Sequence, residues 1–245
     1  MEKNDGLIKI SERLYFLPFE ENADRPNLYY VLGDDYSIAI DAGNSKAHVM
    51  KFYEALKKND LPLPRYTILS HWHWDHTFGL KYINGQSMSS RLTHDKLLEV
   101  GKWEWTIEEM KKREDSGEDI AFCNGCILIE YKDLNEIEVE TSDIVIDGDT
   151  KLNLGGISLT LMPRTSTHSD DSLFVHIPDE EALIVADADC EDFYNGAVYD
   201  KKKLEDMIAF FDGIDYRWHY LGHAFRESKQ EAIDRLKNEL INCLY

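Results

Sequence analysis

The sequence predicts an α+β protein built as two β-sheets packed face to face with helices on the outside. Three observations predict it. Short apolar runs rich in β-branched and aromatic residues recur along both halves of the chain, a helical spacing separates the third of them from the fourth, and the second half repeats the layout of the first. Each sheet must bury one face, and strands that come in runs, with helices closing each half, leave the other sheet as the partner for that face.

The first runs are RLYFLPF, LYYVLG and YSIAIDAG, and a fourth, YTILSH, follows KAHVMKFYEALKKND. In the intervening stretch Val49, Phe52, Tyr53 and Leu56 recur on one helical face, and Pro62 and Pro64 close the segment, which gives strand, helix, strand. In the second half DIVID, KLNLG, ISLTLMP, SLFVHIP and ALIVADAD read as strands. A helix around KKLEDMIAFFDG, a strand in RWHYLGH and a C-terminal helix from about Ser228 complete it. Between the halves, residues from about 85 to 140 read as a partly helical insertion that carries Trp103, Trp105 and Met110 and is placed to lie over a pocket as a lid. The tryptophans either pack an amphipathic helix onto the body or face a substrate. EEMKKRED reads as a solvated helix face, and Asn124 and Gly125 in CNGC predict a turn between a helix and a strand.

A chain of 245 residues can bury a large core, and one domain spanning 1–245 is expected. With 27 basic against 47 acidic residues the formal charge is −20, which repels nucleic acid and anionic membrane surfaces. No stretch approaches the roughly 20 apolar residues of a membrane span, and MEKNDGLIKISERL lacks the apolar run of a secretory signal. The expected setting is the cytoplasm, with a small-molecule substrate and an oligomeric state left open. Four cysteines, Cys123, Cys126, Cys190 and Cys243, are too few and too scattered for a disulfide framework, and no second pair joins CNGC to complete a zinc site.

The chemistry concentrates in HWHWDH, where His71, His73, Asp75 and His76 follow the strand pattern TILS. In an extended segment alternate side chains share a face, so His71 and His73 point together, while Asp75 and His76 arrive on the following turn and face a neighbouring point. Two adjacent metals would satisfy all four. Neutral imidazole and carboxylate suit zinc, iron or manganese, and the lack of thiolates argues against a purely structural zinc site.

HWHWDH resembles the HxHxDH signature of the metallo-β-lactamase superfamily, and further segments resemble that family's landmarks in order: IDAG with Asp41, RTSTHSDDSLFV with His168, LIVADAD, and LGH with His223. The resemblance implies an αββα sandwich of two mixed β-sheets with outer helices and a dinuclear site between the sheet edges. It implies that His71, His73 and His168 hold the first metal, that Asp75, His76 and His223 hold the second, and that Asp187 bridges them. Asp41 would orient the loop without binding metal. Asp189 rivals Asp187, which is preferred because it directly follows the apolar run LIVA; His219 rivals His223, which is preferred because Gly222 before it matches the family pattern and leaves room for a metal loop. His48, His94, His176 and His219 read as surface or core residues, with His94 alone placed in the insertion. Many members of the family carry proline and glycine around the third histidine; this chain has Ser166, Thr167, Ser169, Asp170 and Asp171 there, so no substrate preference is carried over.

The expected function is that of a metal-dependent hydrolase in which a metal-bound hydroxide at a dinuclear site, zinc first with iron or manganese as alternatives, cleaves a small ester, thioester, lactone or lactam. Asp75 would ligate metal and also accept a proton as the catalytic residue. Tyr194 or Tyr199 would donate to the oxyanion if not engaged in core packing. Two other readings compete: a non-heme iron oxidoreductase on the same fold, and a non-catalytic metal-binding module.

Overall fold

The computed structural model describes residues 6–243. The first half of the chain builds a seven-stranded sheet. It runs β1 (Ile8–Lys9), β2 (Leu14–Leu17), β3 (Leu28–Leu32), β4 (Ser37–Ile40), then α1 (Lys46–Lys58) crossing to β5 (Tyr66–Ile68). The short α2 (Trp74–Thr77) precedes β6 (Gln86–Ser90); α3 (Arg91–Val100), α4 (Ile107–Ser116) and α5 (Ala121–Glu130) follow, and β7 (Ile144–Ile146) completes the sheet. Strands pair in sequence order, antiparallel from β1 to β4 and parallel from β4 to β7.

The second sheet has six strands in the order β13-β12-β11-β10-β9-β8. In chain order these are β8 (Thr150–Asn153), β9 (Ser158–Pro163), β10 (Leu173–Ile177), β11 (Ala182–Ala186), then α6 (Lys201–Gly213), β12 (Trp218–Leu221), β13 (Glu227–Ser228) and α7 (Lys229–Asn242). The parallel pair β11–β12, with α6 as its crossover, makes this sheet mixed as well. Among the described residues no helix is long and apolar enough to cross a membrane.

Two-residue alternation sorts the strand side chains into layers. Val31, Ile38, Ile40 and Ile68 from the first sheet meet Leu161, Val175, Ile184 and Tyr220 from the second, all buried in one cluster between the sheets. Their sequence neighbours point outward. Tyr30 and Ala39 pack on Phe52, Ala55 and Leu56 of α1, while Phe174, Leu183 and Val185 pack on Leu204 and Phe211 of α6 and Ile233 and Leu236 of α7. Helix, sheet, sheet, helix is therefore the layer order, as expected. The helix starts follow local chemistry: Ser45 accepts from the backbone N–H of His48, and Ser228 with Glu231 forms a reciprocal capping box at α7.

Two expectations are corrected. The segment 85–140 does not open as an insertion, because Gln86–Ser90 is an internal strand of the first sheet. Its serines hid it: Ser87 and Ser89 are buried, and they satisfy their hydroxyls on Asp143 and Ser142 instead of presenting apolar side chains. The turn expected at CNGC is also absent, since α5 runs through it. Cys123, Asn124, Cys126 and Ile127 are buried while Gly125 lies on the solvent side, and that burial outweighs the roughly 1 kcal/mol that glycine costs a helix. Both cysteines are free thiols. Trp103, Trp105 and Met110 pack with Trp74 and Phe78 onto the body, so packing is the role of those tryptophans.

Candidate metal centre

The site forms where strands end. Asp41 follows β4 and His71 follows β5, two neighbouring parallel strands; Asp187 follows β11 and His223 lies just past β12, the parallel pair of the other sheet. Open parallel sheets gather polar ends at such edges. At β11 the register slips between Ile184 and Ala186, and Ala186 takes a left-handed φ of 52°, which turns Asp187 out of the strand. The backbone N–H of Leu173 donates to the Ser70 carbonyl at 2.7 Å and ties the two edges together.

Seven predicted site residues converge there in two groups, each with donor atoms within 4.8 Å of one another: His71, His73 and His168 in one, Asp75, His76, Asp187 and His223 in the other. The groups touch, with the His71 and His76 rings 4.2 Å apart between centroids. His73 and His168 face each other through Nδ1 and Nε2 at 2.9 Å. In the second group His76 Nε2 lies 3.0 Å from Asp75 and 3.1 Å from Asp187, and His223 Nε2 lies 3.0 Å and 3.3 Å from the same carboxylates.

Three further ring nitrogens are held. His168 Nδ1 donates to the Glu191 carbonyl at 2.8 Å, His71 Nδ1 meets Ser70 Oγ at 3.0 Å, and His76 Nδ1 meets Asp41 at 2.7 Å. Asp41 also accepts from the Ser70 backbone N–H and hydroxyl, so it orients the loop and belongs to neither group. Sequence reasoning missed Asp24, whose carboxylate stands 3.5 Å from His223 Nδ1. No motif marks it. Burial, then the charge of Asp75, raises the Asp24 carboxyl to about 7.

Electrostatics divide the two groups. Burial, then neighbouring imidazoles, pushes His71 and His73 well below the ordinary histidine value, so both are neutral at pH 7, the form that binds metal. Burial acts on His76 and His223 in the same direction, but Asp75 and Asp187 outweigh it and raise both. Nε2 of His71 is buried without a hydrogen-bond partner. A cation at that point would satisfy this orphan, and imidazoles with carboxylates are a donor set that zinc, iron and manganese accept.

The rivals occupy a different place. Asp189 accepts from His219 Nε2 at 2.9 Å and from Arg235 of α7 at 2.6 Å, and both Asp189 and His219 are buried. Burial alone would raise the Asp189 carboxyl, yet His219 and Arg235 outweigh it and hold it below the usual range. Asp189→Ala is expected to cost about 1–3 kcal/mol in denaturant unfolding, because it leaves the buried His219 Nε2 unpaired while Arg235 keeps Glu227, and metal content stays unchanged. The sign follows from the depressed folded-state value. The contribution is fully present above about pH 4 and is lost as pH falls through that value, so wild type and variant should converge in acid.

A cavity of about 460 Å³ opens on His73 and His168, walled by Trp72, Leu92, Lys96 and Tyr194. Leu92 and Lys96 belong to α3, so the helical segment after β6 supplies one wall. Tyr194 lays its ring 5.0 Å from that of His73 while its hydroxyl turns to Asp119 and Cys123, and Tyr199 donates to the Asp189 carbonyl. His94 bonds to Ser142 and does not line the cavity. His48 is core, and His176 donates to the Asp215 carbonyl.

A family model described as the metallo-beta-lactamase superfamily matches residues 22–223. The chain belongs to that superfamily. Solved structures of similar fold include a metallo-beta-lactamase from Pontibacter korlensis, with 15% identity over 96% of this chain and 98% of that one and a TM-score of 0.69. A metallo-beta-lactamase family protein from Thermus thermophilus shares 17% identity over 94% and 80% of the two chains, TM-score 0.66. A stereoselective inverting sec-alkylsulfatase from Pseudomonas sp. shares 12% identity over 96% and 41%, TM-score 0.67. Identities this low carry the metallo-β-lactamase fold and no substrate, as a lactamase and a sulfatase in the same group illustrate. No curated protein sequence matches the chain.

Proposed function

We propose that this metallo-β-lactamase superfamily member is a hydrolase that uses two divalent ions, zinc in the first instance, to cleave a small ester, thioester, lactone or lactam. The observation that carries the reading is the pair of touching donor groups with the unpartnered His71 Nε2 in the first of them. His71, His73 and His168 would hold one ion, Asp75, His76 and His223 the other, with Asp187 shared. Two bound ions would supply a lowered water pKa, about 7 instead of 15.7, and an electrophile for an acyl oxygen.

The chain's own groups do the remainder. Asp75, ionised beside His76 and His223, takes the proton released as water attacks. Trp72, Leu92 and Tyr194 hold the apolar part of the substrate against the His73 edge. The cavity volume of about 460 Å³ lies within the roughly 300–1,000 Å³ range of small-molecule sites, and a charge of −20 disfavours nucleic acid. The reading treats 1–245 as one domain in which the helices after β6 serve the pocket.

Elemental analysis of protein purified without added metal or a histidine tag tests it. About two zinc ions per chain are expected, with turnover on an ester, thioester, lactone and lactam panel that a chelator abolishes. Iron with oxygen consumption would replace the hydrolase by an oxidoreductase. Metal whose removal unfolds the chain, with no turnover on any activated ester, would leave a binding module.

A further inference from the structure

We infer that Asn27, assisted by Tyr29, sets the position of His223, an inference that rests on reading Asp75, His76, Asp187 and His223 as a metal site. His223 is the least enclosed member of that group. Its side chain keeps 29% of its surface exposed, against 7% for Asp75, 0% for His76 and 10% for Asp187. Packing therefore holds it less than the others, and it lies between the end of β12 at Leu221 and the start of β13 at Glu227, where strand pairing has lapsed.

What holds this turn is a residue of the opposite sheet. Asn27, 1% exposed just before β3, donates its backbone N–H to the Gly222 carbonyl at 2.7 Å. Its side-chain Nδ2 donates to the Leu221 and Ala224 carbonyls, both at 2.8 Å, and its Oδ1 accepts from the Phe19 backbone N–H at 2.9 Å. Carbonyls on both sides of His223 thus converge on one side chain. The Tyr29 hydroxyl donates to the Leu221 carbonyl at 2.6 Å. Across the turn, a Cβ on Gly222 would stand 2.0 Å from Asp187 Oδ1, so the loop is pressed against the shared carboxylate on one face and gripped on the other. The backbone on both sides of His223 is thereby fixed.

Partners that aim a ligand typically change metal affinity by about 10–100-fold when removed. The test is titration of cobalt(II) into metal-free protein, followed by calorimetry and by the visible d–d bands, for wild type, Asn27→Ala and Tyr29→Phe. Wild type should take up two ions. In Asn27→Ala the first ion should bind with unchanged affinity and spectrum, and the second about 10–100-fold more weakly with altered bands. Tyr29→Phe, which removes only the hydroxyl that donates to Leu221 and accepts from Asn27, should shift the second ion the same way by less, and it decides the matter alone if Asn27→Ala fails to fold. Equal weakening of both ions would show a mere tie between the sheets and overturn the inference, as would an unaffected second ion in either folded variant. A wild-type chain that binds fewer than two ions overturns the two-site reading and the Asn27 inference with it.

Discussion

His73→Ala is expected to lose one metal equivalent and to lower hydrolytic turnover by more than about 10³-fold. Removing one hydrogen-bond donor from a catalytic site costs about 10²–10³-fold, and here a doubly charged ion departs. The fold should survive. His73 sits among imidazoles that disfavour one another's charge, and its Nδ1 meets His168 in the same group, so the metal-free protein gives up little by its truncation. Metal content, turnover and a melting curve on one preparation check this. Full activity with one ion would remove His73 from the proposed machinery.

Asp187→Asn is expected to reduce occupancy of both ions, because one carboxylate is proposed to serve the two. Its place supports the expectation: Asp187 contacts His76 and His223 directly, and its charge is felt at His71 and His73. Burial raises the Asp187 carboxyl, but His223 and His76 outweigh this and hold it well below the usual range, so the wild-type group is ionised and ready to bind. The amide keeps the shape and removes the charge. Wild-type metal content in Asp187→Asn would refute the shared role, and Asp189, bound to His219 and Arg235 elsewhere, is not placed to substitute for it.

Much of the architecture was legible because period-two alternation reports a half-buried strand directly. In LYYVLG, Tyr29 and Val31 face the inner core and Tyr30 the helix layer, as the pattern demands. HWHWDH was legible for a different reason: local geometry alone puts His71 and His73 on one side and Asp75 and His76 on the next turn, and α2 does so. What stayed hidden was decided by distant contacts. β6 reads as polar until Asp143 and Ser142 are seen to take its hydroxyls, and Gly125 reads as a turn until its helix is seen to be packed. Asn27 and Asp24 carry no spacing at all, and their partners lie almost two hundred positions away.

The dispersal of donors has a kinetic consequence. His71 and His73 must meet His168, and Asp75 and His76 must wait for Asp187 and His223, so neither group exists before the two sheet edges have docked. Contacts so distant along the chain form late, after loop closure has been overcome. Metal capture during refolding should accordingly lag the appearance of secondary structure, which makes the rate of ion uptake a clock for the final assembly of the sandwich.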